Sequence, residues 1–380
     1  MIKIRIGRYH LTSRNMLVLL WPLLVAVAKT ARYTVLKNTL VSNAIGYRLL
    51  DIMGIDNLRF SIFDRTTVSD MISDTSVNAA IIYKKLNLLG LTTYAQFEVA
   101  ITIIGNIILL LLFFSMKDEM DNLAFSFFAI MVVTVNTFDL CLSKEPIQML
   151  FFLWCFFTIN KFAERRKICI ILLILIIFVM AVVFRTYYLA MLPYCYLALL
   201  VCDSFCKRGK PLLHMVIFVV VSVFIYAALL LFVRRFDYSI YSELLRVRVR
   251  YVVAVTRIVP WFDNSSLPGQ MLNYLATVIR LLFPLELIRI GPKYYIYIIA
   301  QALISWYYIQ CFRNLAKADN KKIFSIILFA GFLMMSAIHE IEFGSWIRHE
   351  ASFIPAFILM NAAADQKHAA EHSVKNYEES

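Results

Sequence analysis

Ile323-Phe-Ser-Ile-Ile-Leu-Phe-Ala-Gly-Phe-Leu-Met-Met-Ser-Ala-Ile338 is followed by Glu342-Phe-Gly-Ser-Trp-Ile-Arg-His-Glu350 and then by the apolar run Ala351–Ala364. Two runs able to enter a bilayer thus flank a short segment that carries Glu342, Arg348, His349 and Glu350. Bare charge at membrane depth costs several kcal/mol. The segment therefore reads as a polar turn between two membrane spans, and its charges need something to hold.

The rest of the chain repeats this alternation. Of its 380 residues 61% are hydrophobic and 17% charged, with a mean hydropathy of +0.73; soluble domains run at about 45–50% apolar residues. The excess is concentrated in separate long runs, which predicts an all-α, polytopic transmembrane bundle forming one integral membrane domain over 1–380. The alternating segments of an outer-membrane barrel are missing. Seven cysteines are scattered, mostly within apolar runs. They read as small buried residues, with no disulfide framework and no metal-ligand spacing. No metal and no cofactor is expected. The net charge of +13 points to anionic lipid surfaces and to an anionic substrate rather than to nucleic acid.

Charge bias orders the runs. Residues 1–14 are basic, and Asn15–Ala28 follows as a retained span with no cleavage site, so the N-terminus is expected in the cytoplasm. Residues 29–96 form a long outer loop with interfacial helices. Spans follow at 97–114, 123–140, 147–160, 168–184, 187–202 and 215–233. A second large outer loop, 234–293, holds a basic amphipathic element and an apolar stretch, 272–290, read as re-entrant or interfacial. Further spans follow at 294–311, 323–338 and 351–364, with a cytoplasmic tail at 365–380. This gives about 10 spans (9–12) and both termini inside. The inner loops 161–167, 207–210 and 313–322 hold four, three and four Lys/Arg, and the outer turns at 144, 185 and 348 hold one each.

Those outer cations go against the bias, which is what makes them informative. Arginine binds phosphate and carboxylate bidentately, so Lys144, Arg185, Arg280 and Arg348 converging on one cavity would suit a diphosphate or an acidic sugar. Lipid headgroups or neighbouring acids would also satisfy each one singly. Glu145 lies beside Lys144 ahead of Pro146, as a general base or as a charge favourable to a helix start. Tyr187 and Tyr188 follow Arg185 at a span–span junction. In the 234–272 loop, the run Leu245–Tyr251 reads as strand or helix: as a strand Arg246, Arg248 and Arg250 share a face, and as a helix Arg246 and Arg250 do, with Arg248 turned away. Asp70 and Asp74, four apart in the first outer loop, would share a face from which a carboxylate can deprotonate an acceptor hydroxyl; Asp64 precedes them. His349 is a candidate proton carrier or diphosphate donor.

Four stretches carry a resemblance. They are Ile82-Tyr83 to Leu91 at the end of the first outer loop, Ser143-Lys-Glu145, Phe184-Arg-Thr-Tyr-Tyr188, and Gly344-Ser-Trp-Ile-Arg-His349. In this order the chain resembles bacterial O-antigen, capsule and exopolysaccharide polymerases of the Wzy type, and the wider GT-C-like glycosyltransferases. The resemblance implies a multi-pass enzyme of the bacterial cytoplasmic (inner) membrane. It would join undecaprenyl-diphosphate-linked oligosaccharide units at the outer face, alongside a flippase and a chain-length regulator. It implies diphosphate-holding roles for Arg185 and Arg348, and a catalytic carboxylate in the first outer loop for the GT-C variant. A flippase or transporter for the same lipid-linked sugars is the alternative outside enzymes.

Overall fold

The computed structural model describes residues 3–6, 9–34, 44–55, 75–116, 120, 122–205, 211–236, 256–313, 315 and 318–361. Over these the chain is helical apart from one antiparallel hairpin, β1 (Lys3–Ile6) and β2 (Tyr9–Thr12). The helices are α1 (Ser13–Tyr33), α2 (Ala44–Met53), α3 (Thr75–Leu86), α4 (Tyr94–Met116), α5 (Asn122–Phe138), α6 (Glu145–Phe162), α7 (Arg166–Val183), α8 (Met191–Phe205), α9 (Pro211–Phe236), α10 (Leu267–Leu282), α11 (Tyr295–Arg313), α12 (Asn320–His339), α13 (Phe343–Ala351) and α14 (Ile354–Asn361). Short 3-10 turns at Thr186–Ala190, Leu285–Arg289 and Pro292–Tyr294 link some of them.

Local chemistry sets several boundaries. Asp319 caps α12 by accepting from Lys322 N at 2.9 Å, and Ser266 caps α10 by accepting from Gly269 N at 3.2 Å. Pro146 lies in the first turn of α6, where its missing N–H costs nothing. The stretch 272–290, expected as one helical unit, divides in two. Pro284 disfavours helical backbone at Phe283, so α10 stops at Leu282 and a separate 3-10 turn follows.

Among the described residues, five helices are long and apolar enough to cross a membrane: Met16–Tyr33, Tyr94–Met116, Arg166–Val183, Leu213–Arg235 and Asn320–His339. In the first four only 22–28% of the residues are buried, whereas in Asn320–His339 83% are. The first four thus turn most of their side chains outward, and α12 is the central post. It packs on α8, α10 and α14. Gly331 permits the α8 contact, because a Cβ there would run into Cys195 Sγ. Phe329, Phe332, Phe353 and Phe357 join α12 to α14, with Phe329 and Phe357 at 4.7 Å between ring centres, and Phe152 of α6 stacks into the group at 4.5 Å from Phe353.

The two ends of the bundle differ. At one end Lys321 Nζ donates to Asn160 Oδ1 at 2.8 Å and Asn320 Nδ2 to Glu164 Oε2 at 3.4 Å. These residues border two of the basic loops read as inner. At the opposite end of α12 the turns read as outer come together.

Candidate functional site

Three chain segments far apart in sequence meet at this second end. The α5–α6 turn brings Glu145, the break between α7 and α8 brings Arg185, and the α12–α13 corner brings His339, Glu340 and His349. Arg185 Nη1 donates to Gln148 Oε1 at 2.6 Å, and its Nη2 stands 3.9 Å from Glu145 Oε1. Gln148 Nε2 in turn donates to the His349 carbonyl at 3.1 Å. His349 Nε2 lies 3.7 Å from the same Glu145 oxygen, while its Nδ1 is hydrogen-bonded to Glu340 Oε1. Arg185, Glu145, Gln148, Glu340 and His349 are all buried. The sequence marked Glu145, Arg185 and His349 one by one, and the fold assembles them.

The backbone holds the corner. Ile258 N donates to Ile341 O at 2.8 Å and Phe343 N to Thr256 O at 3.0 Å, forming a one-rung antiparallel clasp in which Arg257 pairs with Glu342. Below it Trp346, fully buried, stacks on Phe332 at 5.7 Å. Glu340 and Glu342 therefore leave an extended strand on the same side, with Ile341 between them.

Electrostatics set the charge states of groups outside the apolar spans. Burial pushes the Glu145 carboxyl up, but Arg348, Arg185 and His349 together outweigh it and hold it at about 2. Glu340 is also held low, because His349 and its hydrogen bond outweigh burial. Glu350 has no cation at hand: burial raises it to about 8, with only Gln301 Nε2 donating to it at 3.1 Å. Burial, with Arg185 adding to it, lowers Lys144 to about 8. Asp139, just before the turn, is fully buried with neither carboxyl oxygen hydrogen-bonded.

The remaining sequence candidates fall in several places. Arg348 borders the cluster and pairs with Glu342 at 3.7 Å. Tyr187 stacks on the His339 ring at 3.9 Å, and Tyr188, fully buried, stacks on Tyr187 and Phe332 as part of the core. Lys144 Nζ donates to Thr75 Oγ1 at 2.7 Å, joining the turn to α3. Arg280 is taken up elsewhere: Glu286 binds it through both carboxylate oxygens at 2.6 and 3.0 Å, and the Val259 carbonyl accepts from it at 2.7 Å. Asp64, Asp70, Asp74, Arg246 and Arg250 lie outside the described residues.

Sequence reasoning missed four members. Gln148, His339 and Glu340 sit within or at the edge of apolar helices and match no motif. Asp139 looks like an ordinary turn residue. Their only signal is a polar residue where apolar neighbours dominate. The sequence also shows no metal-ligand spacing, yet the donor atoms of His339, Glu340 and His349 all lie within 4.8 Å of one another, and these three are the described residues suited to hold an ion.

A second buried polar group stands beside the same turn. Lys29 Nζ lies 3.3 Å and Arg32 Nε 3.6 Å from Glu98 Oε1, and the Tyr33 hydroxyl donates to the other Glu98 oxygen. Arg32 Nη1 donates to Thr137 O at 2.9 Å, and Lys29 donates to Leu140 O. Lys29 and Arg32 belong to α1, which runs past the boundary at Ala28 that their charge suggested.

Among known proteins, no family model, no curated protein and no solved structure matches the chain.

Proposed function

We propose that the chain is a membrane-embedded glycosyltransferase acting on polyprenyl-diphosphate-linked sugars, in the manner of a bacterial surface-polysaccharide polymerase. In this reading it has about ten spans and both termini in the cytoplasm, and the Glu145–Arg185–His349 cluster faces the outer side of the cytoplasmic membrane. One observation carries the reading. Turns that charge bias puts on one side of a membrane pool a buried arginine, a carboxylate held ionised and an imidazole, with Arg348 at the margin.

That set suits departure of a lipid diphosphate. The leaving group is already good, so the protein's work is to neutralise its charge and to position an acceptor hydroxyl. Arg185 and Arg348 supply the charge. Glu145, beside His349 and the arginines, is the carboxylate read as general base for the acceptor hydroxyl. Asp70 and Asp74 remain the acceptor-side carboxylates that the first outer loop offers.

The test is deletion in the host followed by analysis of the surface glycan. Single capped repeat units support the polymerase, and loss of one branch sugar supports a single-sugar transferase. Lipid-linked units accumulating on the inner face would overturn both in favour of transport. Arg348→Gln complementing to a normal glycan would remove Arg348 from the site.

A further inference from the structure

We propose that His339, Glu340 and His349 form a binding site for one divalent transition-metal ion, with zinc as the best-fitting member. The inference does not rest on the glycosyl-transfer reading; it follows from how the three side chains and their neighbours are oriented.

The donors are close and buried. The ligand atoms of all three lie within 4.8 Å of one another. A zinc ion takes imidazole nitrogens and carboxylate oxygens at about 2.0–2.2 Å, so side-chain adjustments of rotamer scale bring all three onto one ion. Glu340 is 3% exposed and His349 8%, so solvent does not hydrate these donors as it would on a surface.

His339 is also held as ligating histidines usually are, with one nitrogen bonded outward and the other turned inward. His339 Nδ1 sits 3.1 Å from the Met335 carbonyl. A carbonyl accepts only, so Nδ1 carries the hydrogen and Nε2 of the neutral ring keeps its lone pair. That Nε2 is buried, has no hydrogen-bond partner and stands 3.9 Å from Glu340 Oε1. A nitrogen lone pair and a carboxylate oxygen repel each other unless a cation is shared between them. His349 is placed differently: its Nδ1 is hydrogen-bonded to Glu340, and its Nε2 stands 3.7 Å from Glu145. That is a carboxylate–histidine–metal order with Glu145 in the outer position. Tyr187, stacked on His339 at 3.9 Å, fixes the ring plane.

Two imidazoles and one carboxylate choose the ion. Magnesium and calcium take oxygen donors, whereas nitrogen-rich sets favour zinc and its first-row neighbours. A three-residue set also leaves coordination positions for an exchangeable ligand. Glu340 and Glu145 together supply the two negative charges that a divalent ion needs.

The experiment uses the full chain, untagged, purified in detergent and stripped with chelator. It is then titrated with Zn²⁺ alone and, separately, loaded with Co²⁺ for its visible absorption. The expected result is one zinc per chain and a cobalt spectrum of nitrogen–oxygen coordination. Glu340→Gln and the double variant His339→Asn/His349→Asn should lose the stoichiometric ion. Glu145→Gln should weaken it by about 10–100-fold, as loss of an outer-sphere partner does. His214→Asn, altered away from the cluster, should keep it. Monodisperse elution and unchanged helical circular dichroism of Glu340→Gln guard against misfolding. The proposal is overturned if the wild-type chain takes up no more zinc than Glu340→Gln, or if the double variant keeps the ion; either result leaves the three side chains as a polar cluster that holds no metal. Zinc held at one per chain by a protein whose deletion leaves the surface glycan intact upholds the site and counts only against the glycosyl-transfer reading.

Discussion

Lys29, Arg32, Tyr33 and Glu98 meet around the start of the 139–145 turn, and Glu145, Arg185, Glu340 and His349 meet around its end. Both groups are of mixed charge and largely buried, but they close differently. In the first, the cations reach past their carboxylate to the main chain, at Thr137 O and Leu140 O, and so tie α1 to the end of α5. In the second, Glu145 Oε2 and His339 Nε2 are buried without a hydrogen-bond partner, whereas the buried Arg32 Nε of the first keeps its ion-pair contact with Glu98 at 3.6 Å. Evolution has little reason to keep an unsatisfied buried atom for stability, since each costs about 1–3 kcal/mol. The first group is therefore a fastening, and the second has capacity for a ligand. Composition does not separate them; the fate of the last donors and acceptors does.

The comparison breaks most sharply at Arg32. Arg32→Leu leaves Glu98 with one cation fewer in a buried setting, and breaking such a pair costs about 3–5 kcal/mol. A large fall in the thermal midpoint in detergent is expected, with glycan product per folded chain unchanged. A midpoint that stays put, with lost product, would move the first group into the site.

Arg185→Gln should do the reverse. Product falls by about 10²–10³-fold, the usual cost of removing one preorganised charge from a reacting centre. The thermal midpoint moves less than in Arg32→Leu, because Arg348 and His349 still face Glu145. In vitro turnover with a lipid-linked oligosaccharide, set beside the midpoint, separates the two effects.

The carboxylates give the next contrast, in pH. Burial raises Glu350 to about 8 from 4.5. A carboxyl raised on folding stabilises the fold below its unfolded value and loses that contribution as pH rises through the folded one. Glu350 should thus erode stability between about pH 4.5 and 8. Glu350→Gln should flatten that slope in a series of midpoints against pH. Glu145 has the opposite sign. Held at about 2, it contributes above 4.5 and loses that contribution as pH falls towards 2.

The smallest effect is expected from the turn that serves both groups. Tyr83 donates to Ser143 O at 2.7 Å. Tyr83→Phe should cost about 1 kcal/mol and should lower midpoint and product together, since the turn carries the Leu140 carbonyl at one end and Glu145 at the other. A change in only one of the two would show that the ends move independently.

Much of the scaffold was legible because long apolar runs have few alternatives. The runs at 97–114, 168–184, 215–233 and 323–338 are the bodies of α4, α7, α9 and α12. Boundaries failed where charge was internal. Lys29 and Arg32 looked like the start of a loop because their partner Glu98 is far away in sequence. The site was half legible. Charges at turns between apolar runs stand out, so Arg185, Arg348 and Glu145 could be marked. His339 and Glu340 could not, because their meaning comes from a corner that brings residue 349 back onto them. Arg280 misled in the same way, since its place in a stretch read as outer was visible and its pairing with Glu286 was not.

The clasp between 256–258 and 341–343 carries a last consequence, for which changes the molecule can absorb. Backbone pairing there asks nothing of side chains, so Ile258 or Ile341 can be exchanged for other strand-forming residues at little cost. Length is another matter. One residue inserted between His339 and Phe343 would turn the strand over, carrying Glu340 away from His349 and swinging an isoleucine into its place. A library with apolar substitutions at Ile258 and Ile341 should yield many working chains, and one with single insertions or deletions between His339 and Phe343 almost none. The corner is written in spacing more than in letters.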